Sequence, residues 1–515
     1  MTSVNNCVSL AKLKMEQMIP IIASCPTYIG NDTGFGHLAA NLSAKCLMIF
    51  CDSPPSAYGL WNPNIKIIAG GPSINHNNPN FASEYPFIDY FVYGDGEKSF
   101  IMLLDSFYEP IDEKTIPNLI TKNFKTNHEI FRFKDYAPFN PFYDLKEDFI
   151  NEYNIFKTSK VALRINYEFS RGCPYACAFC DWSSGLHHKV NVRIGDWKKE
   201  LEFLSNYNID VHMTDANIGM INADKEVVET GLSLQNDKFK FHFPNVAKLH
   251  KSTVFGLWEK SYQSGTSAFK VSLQHLDKQI LKNINRPEIP WEEHKELLIN
   301  FKHKHKHVSY MVELINGLPG SSVDLHIEQC IEFSTIPINT IAILDWNLLP
   351  NSPAYKKSYQ EKFNLKVINA CILTSQFINS NIDDLYYNIS TDNSNTTDIY
   401  QTEYICDNSL SYSEYLQIVY ITIMYNLIFE NSTKYDVTGL KFIEVIEYAM
   451  PHIQKICKLQ GKVLEERYNQ YGFVILGLPF GLEKDMTSSI KYGVRQICQN
   501  LFRGQLIQAG MLIHP

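Results

Sequence analysis

No run of about 18 consecutive apolar residues occurs in the 515-residue sequence, which argues against a membrane-spanning helix. The opening MTSVNNCVSLAKLKMEQ lacks the basic segment and clean apolar run of a secretory signal. Excess positive charge is missing as well. The 47 Lys and Arg stand against 55 Asp and Glu, giving a net charge of −8 and a pI near 6.1. Charge alone therefore gives no general affinity for nucleic acid or an anionic membrane, and neither is expected as a partner. Cysteine is sparse, with 12 in the whole chain, too dispersed for the disulfide framework of a small secreted protein, so a reducing, cytoplasmic location is expected. Internal repeats, coiled-coil heptads and nucleic-acid motifs are also lacking. What remains, at 45% hydrophobic residues, is an ordinary globular composition with enough apolar material for roughly two to four domains.

Three of the cysteines are nevertheless crowded into eight residues, as Cys173, Cys177 and Cys180 of RGCPYACAFCDW. Three thiolates at C-x3-C-x2-C spacing can hold three irons of a cubane cluster and leave the fourth open to a small molecule. Four-cysteine ferredoxin runs instead ligate every iron and only move electrons. No fourth cysteine lies near, since the next is Cys330. Zinc is a competing reading, with His187 and His188 the only nearby residues to complete a tetrahedron, and three ordinary buried thiols are another.

The stretch resembles the signature of the radical S-adenosylmethionine (SAM) enzymes, C-x3-C-x-aromatic-C, with Phe179 at the aromatic position. The resemblance implies a [4Fe-4S] cluster on Cys173, Cys177 and Cys180, SAM chelated by the open iron and Phe179 packed near adenine. It also implies reductive cleavage of SAM to methionine and a 5'-deoxyadenosyl radical, fed by an electron donor such as flavodoxin or ferredoxin.

Along the chain the apolar runs predict an α/β protein. KCLMIF at 45–50, IKIIAGGP at 65–72 and YFVYGDGE at 90–97 read as parallel strands of a doubly wound sheet, so residues 1–110 are expected to form a reduced Rossmann-like unit. This unit resembles the cobalamin (B12)-binding domain found ahead of many radical SAM enzymes. The domain's D-x-H-x-x-G loop is absent and the unit looks shortened, which argues against bound cobalamin. After a linker at 111–157, residues 158–355 alternate strands and helices at the spacing of a partial (β/α)6 barrel. Its strands are expected at 161–170, 209–219, 240–248, 268–274, 308–317 and 340–350. Residues 356–515 read as a mainly helical, tyrosine-rich substrate-binding domain, with a polar loop over NSNIDDLYYNISTDNSNTTDIY.

Strand ends at the open top of such a barrel carry function. Asp215 and Asn217, in TDANIG after the second strand, occupy the place where the family grips the SAM amino group, although the family's glycine-glycine-glutamate triplet is missing; a simple turn is the rival reading. Ser272 and Gln274 alternate inward on the fourth strand, where SAM's ribose hydroxyls and carboxylate would satisfy them. Lys248 and Arg286 are candidates to pair with the SAM carboxylate or, equally, to form ordinary salt bridges. Gly317 would let backbone approach adenine, and Asn347, Pro350, Asn351 and Pro353 of DWNLLPNSP resemble the LLPNTP stretch of cobalamin-type relatives.

The cluster motif does not choose the reaction. CPYACAFCDW, TDANIG, NVAK, SLQ and LPNSP together resemble the radical SAM enzymes that mature ribosomally made peptides, most nearly the proteusin-type peptide epimerases. That likeness implies conversion of L-residues to D-residues in a leader-bearing precursor peptide. Cα hydrogen abstraction would be followed by hydrogen donation from Cys371 of KVINACILTSQF, whose apolar neighbours equally suit simple packing. The alternatives are a peptide C-methyltransferase, which would need cobalamin or another methyl carrier, and a non-catalytic iron-sulfur protein that binds peptides.

Overall fold

The computed structural model describes residues 15–25, 27–31, 39, 45–50, 65–71, 74–131, 139–156, 163–182, 190–243, 252–266, 268–286, 290–336, 338–373, 399–407, 410–429, 442–472 and 474–477. Lys248, His187, His188, Cys7, Cys51, Cys498 and the polar run that precedes the C-terminal helices lie outside them, apart from the last two residues of that run. The chain divides into two compact units, Met1–Phe131 with Ser394–Thr397, and Arg132–Asn393 with Asp398–Pro515.

In the first unit, helix α1 (Met15–Ser24) precedes strands β1 (Thr27–Asn31), β2 (Lys45–Phe50), β3 (Ile65–Gly70) and β4 (Tyr90–Val92), then helix α2 (Glu97–Ser106) and strand β5 (Leu119–Ile120). The first four strands are parallel and adjacent in chain order, with β5 antiparallel against β4. Both faces are covered, as parallel sheets require. Alternation sends Ile67 and Phe91 into one core with Ile74, Phe81 and Ile88, and sends Ile68, Tyr90 and Val92 into another with Leu103 of α2 and Leu119. The strand order does not reverse among the described residues, so this sheet lacks the topological switch point expected of a doubly wound unit.

The second unit carries all six predicted central strands. After α3 (Lys146–Phe156) come β6 (Leu163–Tyr167), the short hairpin strands β7 (Ser170–Arg171) and β8 (Asn191–Val192), α4 (Trp197–Leu204), β9 (Ile209–Met213), α5 (Asn222–Ser233), β10 (Phe239–His242) and α6 (Ser252–Gln263). Then follow β11 (Ala268–Gln274), α7 (Lys278–Asn283), α8 (Trp291–Lys304), β12 (Ser309–Asn316), α9 (Val323–Ser334) and β13 (Ile338–Asp345). They pair as two parallel triplets in chain order, β6-β9-β10 and β11-β12-β13. Period-2 alternation explains each triplet. Ile209, Val211, Met213, Phe239 and Phe241 are buried against Leu201 and Leu204 of α4 and Val227 and Val228 of α5, while Asp210, His212, Lys240 and His242 occupy the alternate positions.

Among its described residues the C-terminal segment holds more helix than strand, and it adds a sheet that the sequence did not suggest. Helix α10 (Lys357–Phe363) leads into a mixed sheet in which β14 (Leu365–Leu373) pairs antiparallel with β15 (Ile399–Asp407) and parallel with β16 (Val474–Gly477). LKVINACIL, with its β-branched and apolar residues, is the central strand of that sheet. Helices α11 (Tyr412–Phe429) and α12 (Phe442–Tyr471) were legible as helices. Leu416, Val419 and Tyr420 of α11, with Val445 and Ile453 of α12, join the same core as Val312, Leu314, Ile341 and Ile343. No helix among the described residues is long and apolar enough to cross a membrane.

Candidate functional site

The cysteine loop starts just beyond β6, where Gly172 takes the left-handed φ of +108° that turns the chain from β7 into Cys173. Cys173 and Cys177 are buried and Cys180 half-buried. Burial first, and then the neighbouring Cys177, Asp181 and Cys173, push the Cys180 thiol up to about 12, against a lowering backbone hydrogen bond from Trp182. Coordination to a cation is what would deprotonate such a group at neutral pH. Three thiols in one loop, with the other described cysteines of this unit elsewhere, fit a cubane with one open iron. Cys330 and Cys457 sit in the apolar core and Cys371 and Cys406 on the C-terminal sheet.

Three segments clamp the loop. Ala178 N–H donates to the Ile284 carbonyl at 2.9 Å, just past α7, and the Ala178 carbonyl accepts from Ala354 N–H at 3.0 Å, in the turn after β13. Asn285, held at φ +51°, donates through Nδ2 to the Ala176 carbonyl at 2.9 Å. Ala178 is buried among Ile280, Ile284, Leu318, Trp346 and Leu348, and Phe179 packs on the same cluster. The DWNLLPNSP turn thus touches the cysteine loop directly, through the residue after Pro353. From the third side Asn217 Nδ2 donates to Cys173 Sγ at 3.0 Å.

Asp215 lies just past β9, as expected, with its carboxylate turned onto the chain itself. It is 1% exposed, and both carboxylate oxygens face the chain. One accepts from the Ser170 hydroxyl at 2.6 Å and from Ser170 N–H, the other from Phe169 N–H at 3.1 Å. Burial raises its pKa to about 6, against the lowering effect of these hydrogen bonds, and Asp224 adds to the rise. The oxygens are spent on pinning the backbone that delivers Cys173.

Arg286 links two expected site residues. Its guanidinium lies 5.9 Å from the centre of the Phe179 ring, and Nη2 donates to the Ser272 carbonyl at 2.5 Å. The Ser272 hydroxyl donates to Glu313 at 2.5 Å, and Glu313 also pairs with Lys270 at 3.1 Å. Gln274 does not share Ser272's face as expected, because the β11–β12 register slips between the two residues. Gln274 takes φ +62° and is buried, with Oε1 lacking a hydrogen-bond partner among the described residues. A left-handed, non-glycine residue with an unsatisfied buried oxygen stores strain at the end of β11. Gly317 ends β12 at φ +84°, a geometry that favours glycine.

Cys173, Cys177, Cys180, Asn217, Phe179, Arg286 and Ser272 thus form one connected set, with Asp215 behind it. Cys371 lies on β14, its backbone opposite Gln401 and Ile475, and its side chain is outside the described residues. The anchors Ile284, Asn285 and Ala354 escaped the sequence because two of them act through backbone groups. Glu313 carried a signal, as a lone carboxylate in the apolar run VSYMVELING.

Comparison with known proteins adds the following. A family model for glycosyltransferase family 9 (heptosyltransferase) matches residues 2–87, which ends before β4 and well before the cysteine loop. The chain is 24% identical over 328 residues to the cobalamin-dependent radical SAM methyltransferase TokK of Streptomyces tokunonensis, covering 59% of this chain and 46% of that protein. It is 24% identical over 310 residues to the 2-(S-pantetheinyl)-carbapenam-3-carboxylate methyltransferase of Streptantibioticus cattleyicolor, covering 57% of this chain and 44% of the relative. The chain therefore spans about half the length of these curated relatives. Among solved structures, the cobalamin-dependent SAM radical enzyme OxsB is similar at 12% identity and a TM-score of 0.49, over 96% of this chain and 82% of that one.

The relatives of this chain include radical SAM enzymes, as its cysteine loop implies. They overturn two finer expectations. The curated relatives are methyltransferases, so the peptide epimerase reading is withdrawn, and with it the hydrogen-donor role of Cys371. One is named as cobalamin-dependent, which runs against the expectation that cobalamin is an unlikely cofactor.

Proposed function

We propose that this chain is a radical SAM methyltransferase that uses cobalamin and methylates a carbon atom of a peptide or peptide-derived molecule. The observation that carries the reading is its similarity to two curated methyltransferases over more than half of its length. The bound cluster and cobalamin would supply reductive cleavage of SAM and a methyl carrier. Cys173, Cys177 and Cys180 would hold the cluster, and Asn217 N–H, aimed at Cys173 Sγ, would stabilise negative charge on that sulfur. Arg286 and Phe179 offer a cation and an aromatic face beside the loop, suited to a carboxylate and an adenine ring. The clamps from Ile284, Asn285 and Ala354 keep the sulfurs fixed.

The first unit is the proposed cobalamin module. Gly70 and Gly71 end β3, and Gly94 and Gly96 follow β4. Gly71 takes φ +98°, and a Cβ there would meet nothing within 4 Å, so the strand end is open to close approach by a large planar group. These residues fit such a cofactor. An external one-electron donor of the flavodoxin or ferredoxin type completes the system.

The test is anaerobic incubation of cluster-reconstituted protein with methyl-deuterated SAM, reductant and candidate acceptors, with and without cobalamin. The proposal expects S-adenosylhomocysteine release and label transfer that both require cobalamin. Label transfer of equal yield without cobalamin, or none in its presence across peptide and small-molecule acceptors, refutes it.

A further inference from the structure

On the β6-β9-β10 sheet, the face turned away from α4 and α5 carries two cross-strand rows. Register pairs Arg164, Asp210 and Lys240 in one row and Asn166, His212 and His242 in the next. Asp210 and His212 are two residues apart on β9 and so share that face, and His242 is the direct partner of His212 with ring centres 4.5 Å apart. The candidate ligating atoms of Asp210, His212 and His242 all lie within 4.8 Å of one another, and all three residues are half-buried. None of the three makes a hydrogen bond or ion pair with another described residue, even though Asp210 is flanked in register by Arg164 and Lys240. Two imidazoles and a carboxylate that converge, with no hydrogen bond or ion pair among the described residues, are an unusual economy on a sheet whose opposite face is packed.

We propose that Asp210, His212 and His242 bind a first-row divalent cation. Two nitrogens and one oxygen from adjacent strands make a donor set suited to Zn2+ or Fe2+, and three protein ligands leave coordination positions open for another molecule. Register pairing of β9 with both neighbours holds the three residues on adjacent strands at fixed backbone spacing. The site is separate from the cysteine loop in sequence, on the β9 and β10 strands, and the proposal stands whether or not the chain transfers methyl groups.

The experiment uses the cluster-loaded protein, stripped of loose metal by brief chelation and dialysed anaerobically against Zn2+. Metal content is measured per chain alongside zinc-edge X-ray absorption. One zinc per chain is expected, with a nitrogen and oxygen shell that includes two imidazoles and no sulfur. His212→Gln and His242→Gln should each weaken zinc binding by about 100-fold or more, since even outer-shell changes cost 10–100-fold. Unchanged iron content in these variants shows that they fold. Failure of wild-type protein to take up stoichiometric zinc, a sulfur shell, or binding undiminished in both folded variants overturns the proposal.

Discussion

Replacing Asp215 with Ala removes the acceptor for three donors at the entry to the cysteine loop: Phe169 N–H, Ser170 N–H and the Ser170 hydroxyl. The hydroxyl can rotate to another partner, but two buried backbone N–H groups cannot, and leaving each unpaired costs about 1–3 kcal/mol, or about 2–6 in all. Part of this is offset at neutral pH. The folded pKa of about 6 is raised above the ordinary aspartate value of 3.8, so the folded chain binds the proton more tightly than the unfolded one. The stabilisation linked to that proton is complete below the unfolded value and is lost as pH rises through the folded value, leaving ionisation to cost about 3 kcal/mol above the window. The Ala variant never meets that cost, so its deficit shrinks by about 1.5 kcal/mol between roughly pH 5 and pH 7.5. Hydrogen exchange of peptides spanning Phe169 and Ser170, compared between wild type and variant at the two pH values, reads the local opening free energy. Full retention of protection in Asp215→Ala, or a deficit that grows with pH, would refute the reasoning.

Other outcomes follow from the same contacts. Asn217→Ala should lower the reduction potential of the cluster by about 40 mV, the one-electron equivalent of a hydrogen bond worth about 1 kcal/mol, as read by a potentiometric paramagnetic titration. In Gly231→Ala the added Cβ would fall 2.5 Å from the Phe241 ring. Because that ring is buried in the core under α5, the variant should lose about 1–3 kcal/mol in denaturant unfolding. Cys371→Ser should leave cobalamin-dependent methyl transfer within about twofold of wild type, because no hydrogen donor is needed from β14; SAM turnover and labelled product are the readouts.

All six central strands were visible in the sequence, because runs such as IDVHM and VSYMVELIN have period-2 alternation over a buried apolar face. LKVINACIL was absorbed into a helical region because its strand character depends on pairing with β15 and β16, from residues up to about a hundred positions away. The cysteine loop was legible because its three cysteines lie within eight residues. The contacts of Asp215 were not legible, because its partners are backbone groups 45 and 46 residues earlier, which no local pattern exposes. The reaction class was illegible for a chemical reason. Cleavage of SAM at an open iron is common to epimerisation and methyl transfer, so the three cysteines cannot distinguish them. Asp210, His212 and His242 could have been found, since polar residues at alternate positions in adjacent strands announce a shared face.

Paramagnetic resonance of the reduced, anaerobically reconstituted protein, recorded before and after addition of SAM, tests the central claim most directly. A [4Fe-4S] signal that shifts when SAM binds, and that vanishes when Cys173, Cys177 or Cys180 is replaced by Ala, is the predicted result. A cubane signal indifferent to SAM, or one that survives loss of any of these cysteines, would contradict an iron left open by three thiolates.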